Sequence, residues 1–146
     1  ESIAIKADIV AQDPNEKHLR KSLNFGHTLG HAIESYYLEA PSKTKLLHGE
    51  AVAAGMVLES YISTELCGLP PQKLEKISEA IIEIFGRIDL NREDFEIIKK
   101  LLKFDKKNEK GNINFVLLKD IGQPVMDCQV TNEILDKAYS YYLSIN

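Results

Sequence analysis

Three of the chain's four histidines lie between Asn24 and Met56, in NFGHTLGHAIESYYLEAPSKTKLLHGEAVAAGM. His27 and His31 are four residues apart, a separation that in a helix puts both side chains on one face with Cβ atoms ~5–6 Å apart. His48 stands one loop further on, ahead of Gly49-Glu50, and can reach the same point. Neutral imidazole is the commonest side-chain metal ligand and binds zinc at ~2.0–2.1 Å. A catalytic zinc takes three protein ligands and keeps one position open for water or substrate. Just upstream, Lys17, His18, Arg20 and Lys21 gather basic side chains that would suit an anion beside the metal.

Two plainer readings compete with a metal site. A helical histidine pair is often no more than a surface or hydrogen-bonded pair, and histidines with Lys and Arg bind phosphate without any metal. The glycines Gly26 and Gly30, the third histidine and the basic cluster favour a ligand site. Protease chemistry fits poorly, because Thr28 stands where a zinc protease of His-Glu-x-x-His type carries its general base.

The elements that must position these residues are mostly helical. Ile3, Ala7, Ile9 and Val10 form a stripe that Pro14 ends, so a helix is expected over 1–13, followed by a turn at Asp13-Pro14-Asn15 and a short helical piece over 16–23. A helix over 26–37 turns Leu29, Ala32, Ile33 and Tyr36 inward, with Gly26 and Gly30 marking a close backbone approach, whether to a ligand or to another helix. Residues 38–47 read as a loop. The next helix, 50–66, starts with small residues (Ala51, Ala53, Ala54, Gly55) and is expected to be buried deepest near its start. Gly68 stops it, and Pro70-Pro71 precede an amphipathic helix over 72–85 that buries Leu74, Ile77, Ile81, Ile82 and Phe85. Asn91 caps a helix over 92–104, with Phe95, Ile98, Leu101 and Leu102 inward and Asp105-Lys106-Lys107-Asn108 at its end. Residues 112–118, with Ile113, Phe115 and Leu117 on one side, and 125–130 form a hairpin about Asp120-Ile121-Gly122. Thr131 caps a last helix through Ile134, Leu135, Ala138, Tyr142 and Leu143. The fold class expected is mostly α, with several helices and one β-hairpin.

At 146 residues, one domain is expected. A formal charge of -4 provides no basic field for nucleic acid or an anionic membrane, so any anion must be held locally. No apolar run is long enough for a membrane span, and the first residues lack the features of a signal peptide, which points to the cytoplasm. Cys67 and Cys128 are expected to be free thiols. Glu1, with no Met before it, leads directly into a helical pattern, as in a domain excised from a longer protein.

The block Leu23-Asn24-Phe25-Gly26-His27-Thr28-Leu29-Gly30-His31-Ala32-Ile33-Glu34, followed by His48-Gly49-Glu50-Ala51-Val52-Ala53-Ala54-Gly55-Met56, closely resembles the signature of the 3-dehydroquinate synthase family. The likeness runs upstream through Lys6, Asp13, Glu16 and Arg20 and downstream to Asp105-Lys106-Lys107 and the hairpin, so it covers essentially all of residues 1–146 as the family's helical, metal- and substrate-binding C-terminal domain.

The resemblance implies a lyase of the shikimate pathway of aromatic amino acid (chorismate) biosynthesis. It would convert 3-deoxy-arabino-heptulosonate 7-phosphate into 3-dehydroquinate and phosphate with catalytic NAD and a divalent metal, Zn2+ or an alternative such as Co2+. By position, His27 and His48 match the family's histidine metal ligands. His31 matches a catalytic, substrate-contacting histidine near the phosphate, although its spacing alone would assign it to the metal. Lys6, Arg20 and Asn24 match positions that bind the substrate's phosphate, carboxylate or hydroxyls. A further catalytic and substrate-binding lysine matches Lys107, with Lys106 as second choice.

The third metal ligand, a glutamate, and the Rossmann-like NAD-binding domain are expected in sequence preceding these residues; Glu16, Glu34 and Glu50 are not in its context, and no cofactor-binding residue is assigned here. Gly26-x-x-x-Gly30 follows no buried strand and is no dinucleotide fingerprint. A homodimer is implied for the full-length enzyme, and residues 1–146 alone are expected to be inactive, with the histidine stretch exposed or partly disordered. The alternatives are another sugar phosphate cyclase, of the 2-deoxy-scyllo-inosose or 2-epi-5-epi-valiolone synthase type, or a non-catalytic metal- or phosphate-binding helical module.

Overall fold

A computed structural model describes residues 2–17, 19–108 and 113–145, with side chains for all of these except residue 2 and residues 104–108. His18, Gly111 and Asn112 and the side chains of Lys106 and Lys107 therefore lie outside the described residues. The elements are α1 (Ser2–Gln12), a 3-10 helix (Leu19–Asn24), α2 (His27–Glu39), α3 (His48–Cys67), α4 (Pro71–Phe85), α5 (Arg92–Asn108), β1 (Phe115–Asp120), β2 (Gln123–Cys128) and α6 (Asn132–Ser144). This is the mostly helical architecture with one antiparallel hairpin that the periodicities predict.

α2 and α3 form an antiparallel helical hairpin at the centre. Their backbones approach so closely that a Cβ on Gly55 would lie 2.1 Å from the Gly26 carbonyl oxygen, and one on Gly30 would lie 2.9 Å from Val52 Cα. The glycines that the sequence leaves open between ligand approach and helix packing thus pack helix against helix. The core joins Leu29 and Ile33 of α2 and Val57, Leu58 and Ile62 of α3 with Phe95 and Ile98 of α5, Leu117 of β1, and Tyr139 and Tyr142 of α6. Phe95 stacks on Tyr139 with ring centroids 4.6 Å apart. Among the described residues, no helix is long and apolar enough to cross a membrane.

Several boundaries and faces differ from the sequence reading. The piece over 16–23 is a 3-10 helix beginning at Leu19, because Asp13 accepts hydrogen bonds from the Lys17 and Arg20 N–H groups and holds the chain in a turn until then. α3 begins at His48 itself: Glu50 accepts from the Leu47 N–H at 2.7 Å and fastens the first turn. Its burial is deepest along its middle, Ala53 to Ser63, since α2, α4, β1 and α6 all pack around it. α5 runs through Asn108, so Lys106 and Lys107 belong to the helix.

The stripe of α1 is not a core face: Ile3 and Ala7 are exposed and Ile9 and Val10 only half-buried, because among the described residues α1 packs mainly on the 3-10 helix. Phe85 and Leu143, at helix ends, are exposed too. In β1, alternation fails: Phe115, Val116 and Leu117 are all buried, with a register shift opposite them in β2. The hairpin is tied to the centre where Ser63 Oγ accepts from the Leu118 N–H at 2.9 Å.

Candidate metal centre

The start of α2 follows from Gly26. This residue has a left-handed backbone (φ 80°), which glycine tolerates, and it has no side chain with which to cap the helix it begins. The cap comes from α3. The Glu59 carboxylate, 0% exposed, accepts hydrogen bonds from the Gly26 N–H at 2.6 Å and the Leu29 N–H at 3.1 Å. Burial pushes its pKa up to about 8, while the Leu29, Gly26 and Thr28 N–H groups pull the other way.

With that turn fixed, His27 and His31 stand on one face and His48, the first residue of α3, comes to meet them. The ring centroids form a near-equilateral triangle: 5.5 Å for His27–His31, 5.8 Å for His27–His48 and 5.7 Å for His31–His48. One potential ligand nitrogen from each ring lies within 4.8 Å of the other two. Bonds of ~2.0–2.1 Å in a tetrahedron set ligand nitrogens ~3.3 Å apart, so small side-chain rotations would close the set on one ion.

The donor chemistry fits a metal. His27 Nδ1 lies 3.2 Å from the Phe25 carbonyl oxygen, which can only accept, so Nδ1 carries the proton and Nε2 offers the lone pair. His48 Nδ1 lies 3.1 Å from Glu34 Oε2, a carboxylate–imidazole pairing of the kind that orients a ligating ring. His31 and His48 are exposed and His27 half-buried, so the cluster faces solvent, the exposed alternative expected of the stretch, on two regular helices.

Beside the triangle lies a cleft of about 530 Å³ whose walls include Asn24, His27, Thr28 and His31, Glu16 and Lys21 before them, and Asn114, Val116 and Asp127 from the hairpin. The structure therefore brings together His27, His31, His48 and Asn24. Asn24 Nδ2 donates to Glu16 Oε1 at 2.8 Å. Arg20 is turned aside: its Nη1 donates to the Pro14 carbonyl at 3.2 Å and its Nε lies 3.9 Å from Glu16. Lys6 is exposed on α1 and does not line the cleft.

Pairings that the sequence does not foretell also shape the site. Lys21 Nζ bonds both oxygens of Asp127, at 3.0 and 2.8 Å, and Thr28 Oγ1 donates to the Asn114 carbonyl, so the hairpin closes one wall. Asp127 has a left-handed backbone (φ 56°), an uncommon state for a non-glycine residue. On the far side, Lys43, in the loop before His48, bonds Asp94 at 2.7 Å and Asp89 at 3.1 Å, and Tyr36 donates to Asp94 at 2.5 Å. Burial pushes Asp94 upward, but Lys43, Tyr36 and the Asn91 N–H outweigh it and hold its carboxyl below the usual range. No local signal marks these partners, because each pair joins segments distant in sequence.

Residues 1–108 match the family described as 3-dehydroquinate synthase C-terminal. The chain is 43% identical to a 3-dehydroquinate synthase of Parabacteroides distasonis over 142 residues, covering 97% of this chain and 40% of that protein. It is 38% identical to the 3-dehydroquinate synthase of Picrophilus torridus over 140 residues, covering 92% and 38%. The chain thus spans about two fifths of the length of the curated relatives it matches. A 2-deoxy-scyllo-inosose synthase, solved with carbaglucose-6-phosphate, NAD+ and Co2+, superposes with a TM-score of 0.72 at 27% identity, over 93% of this chain and 38% of that one. A 2-epi-5-epi-valiolone synthase from Streptomyces hygroscopicus, with NAD+ and Zn2+ bound, shares the fold at a TM-score of 0.72 and 23% identity, over 93% and 36%.

Proposed function

The chain belongs to the 3-dehydroquinate synthase C-terminal family, and we propose that it is the metal- and substrate-binding domain of a cytoplasmic enzyme that converts 3-deoxy-arabino-heptulosonate 7-phosphate into 3-dehydroquinate and phosphate. The observation that carries this reading is the convergence of His27, His31 and His48 at the edge of the cleft. His27 and His48 hold the divalent ion, Zn2+ or Co2+, and a glutamate from the rest of the protein completes the set. When bound, the ion acidifies a substrate hydroxyl and NAD, seated mainly in a preceding Rossmann-like domain, accepts and returns a hydride.

The residues of this chain bind, orient and move protons. Asn24 holds a substrate oxygen at the cleft wall, and Arg20, released from Pro14, and Lys6 supply cations for the phosphate and carboxylate. Lys107, with Lys106 as the second candidate, adds one more. A dianionic phosphate and a carboxylate need several such donors in a protein with a net charge of -4. His31 exchanges a proton at the substrate beside the leaving phosphate. Residues 1–146 alone are inactive in this reading, and the full-length enzyme is a homodimer.

The test assays the full-length protein for phosphate release from the heptulosonate phosphate, with heptulose 7-phosphate and glucose 6-phosphate in parallel, since the superposition on a 2-deoxy-scyllo-inosose synthase makes another sugar phosphate cyclase the second reading. Turnover of the heptulosonate alone is expected; preference for either other sugar supports the second reading. His27→Ala and His48→Ala should abolish tight metal binding, whereas His31→Ala should retain the metal and lose turnover. Loss of the metal in His31→Ala would place that ring in the ligand set.

A further inference from the structure

Glu59 is a buried group that the proposed chemistry leaves unused. It lies in the middle of α3, does not itself line the cleft, and is 0% exposed. A carboxylate is costly to bury, and the partners of this one are main-chain N–H groups at the start of α2. A serine or aspartate at position 26 could cap a helix locally, but Gly26 has a left-handed backbone and a Cβ there would lie 2.3 Å from Met56 Cγ. The cap must come from another element, and it comes from the helix whose first residue is His48.

The arrangement is reciprocal. Glu59 of α3 holds the first turn of α2, which carries His27, and Glu34 of α2 holds His48 at the start of α3. Sliding or rotation of either helix would break one of these contacts or drive the Gly26 carbonyl against Gly55. We propose that Glu59 is a positioning residue for the histidine cluster: by clamping the first turn of α2 to α3, it sets the separation of His27 and His31 from His48. The inference rests on the metal-site reading above.

The experiment uses Co2+, whose visible absorption reports ligand geometry, titrated into the full-length protein as wild type and as Glu59→Gln, Glu59→Asp and Tyr139→Phe. Gln keeps one acceptor oxygen, and Asp keeps the carboxyl group but shortens the reach. Tyr139→Phe removes a buried hydrogen bond to the Leu90 carbonyl, away from the histidines, and controls for general loss of stability. Hydrogen exchange at the amides of residues 26–29 is followed without metal.

Both Glu59 variants should exchange these amides faster, weaken Co2+ binding by about tenfold, the scale seen when a partner that orients a ligand is lost, and alter the absorption envelope. Tyr139→Phe should do none of these. Wild-type affinity and spectrum in either folded Glu59 variant, or equal weakening in Tyr139→Phe, would overturn the assignment. A wild-type protein that binds no Co2+ would instead overturn the metal-site reading, while the exchange rates still decide whether Glu59 clamps α2.

Discussion

Asp94 and Glu59 are two buried carboxylates, 4% and 0% exposed, that meet burial in opposite ways. Asp94 has the Lys43 ammonium at 2.7 Å, the Tyr36 hydroxyl and the Asn91 N–H, and is held below the ordinary carboxylate range. Glu59 has main-chain N–H groups of one helix start, and burial pushes it up to about 8. A full positive charge in contact offsets desolvation, whereas the partial charge of a helix N-terminus offsets it only in part. The two also grip opposite ends of one helical hairpin. Glu59 fastens the start of α2 to α3, and Asp94, through Lys43, fastens the loop between α2 and α3 onto α5. The histidine cluster is held from both ends by different electrostatics.

The severest way to break this comparison is Lys43→Met, which leaves Asp94 buried without its cation. It should cost about 3–5 kcal/mol in chemical denaturation. A cost under about 1 kcal/mol would show that Lys43 does not set the charge of Asp94. Glu59→Ala should come next, at about 2–4 kcal/mol, because it leaves buried N–H groups at the start of α2 without an acceptor. Glu59→Gln should cost less than Glu59→Ala.

The pH dependence of stability sharpens the contrast, since the two groups should act with opposite sign. Asp94 contributes stability that is present above about pH 4 and lost as pH falls through its lowered folded value. At Glu59 the folded chain keeps a proton that the unfolded chain releases above about pH 4.3, so its contribution is lost as pH rises toward about 8. Denaturation midpoints measured across pH should show that Asp94→Asn flattens the acid limb and Glu59→Gln flattens the limb between about pH 5 and 8. Loss of the same limb in both variants would sink the distinction.

The smallest effect should come from Glu34, the half-exposed carboxylate that orients His48. Glu34→Gln should lower Co2+ affinity by about tenfold and change folding stability by no more than about 0.5 kcal/mol. A larger change in stability would give Glu34 a share in the framework.

Much of the framework was legible because it is periodic. Leu29, Ala32 and Ile33, then Phe95, Ile98 and Leu102, face inward as their spacing requires, and Asp120-Ile121-Gly122 turns the hairpin. Periodicity misled where an element has less to pack on than its stripe suggests, as at Ile3, Phe85 and Leu143. It misled also in α3, whose small residues do not mark the deepest point because four elements surround its middle. Of the candidate site, the histidines were legible by type and spacing, whereas Asn24 was named through the family resemblance. Arg20 was legible as part of a basic cluster and Lys6 only through the resemblance, and the structure turns the first toward Pro14 and leaves the second on α1.

The sequence by itself determined the helical class, the hairpin, the family and the three histidines, since each is written in local spacing or in a contiguous block. Only the tertiary structure decided that Gly26, Gly30 and Gly55 are one helix seam, that Glu34 orients His48, and that Lys21 and Asp127 close a wall of the cleft. It alone gave Glu59 a role. The physical reason is separation along the chain: residues 26 and 59 hold one another across 33 positions, and Lys21 and Asp127 across 106. No local propensity encodes such pairs, and only packing of the elements brings them into contact.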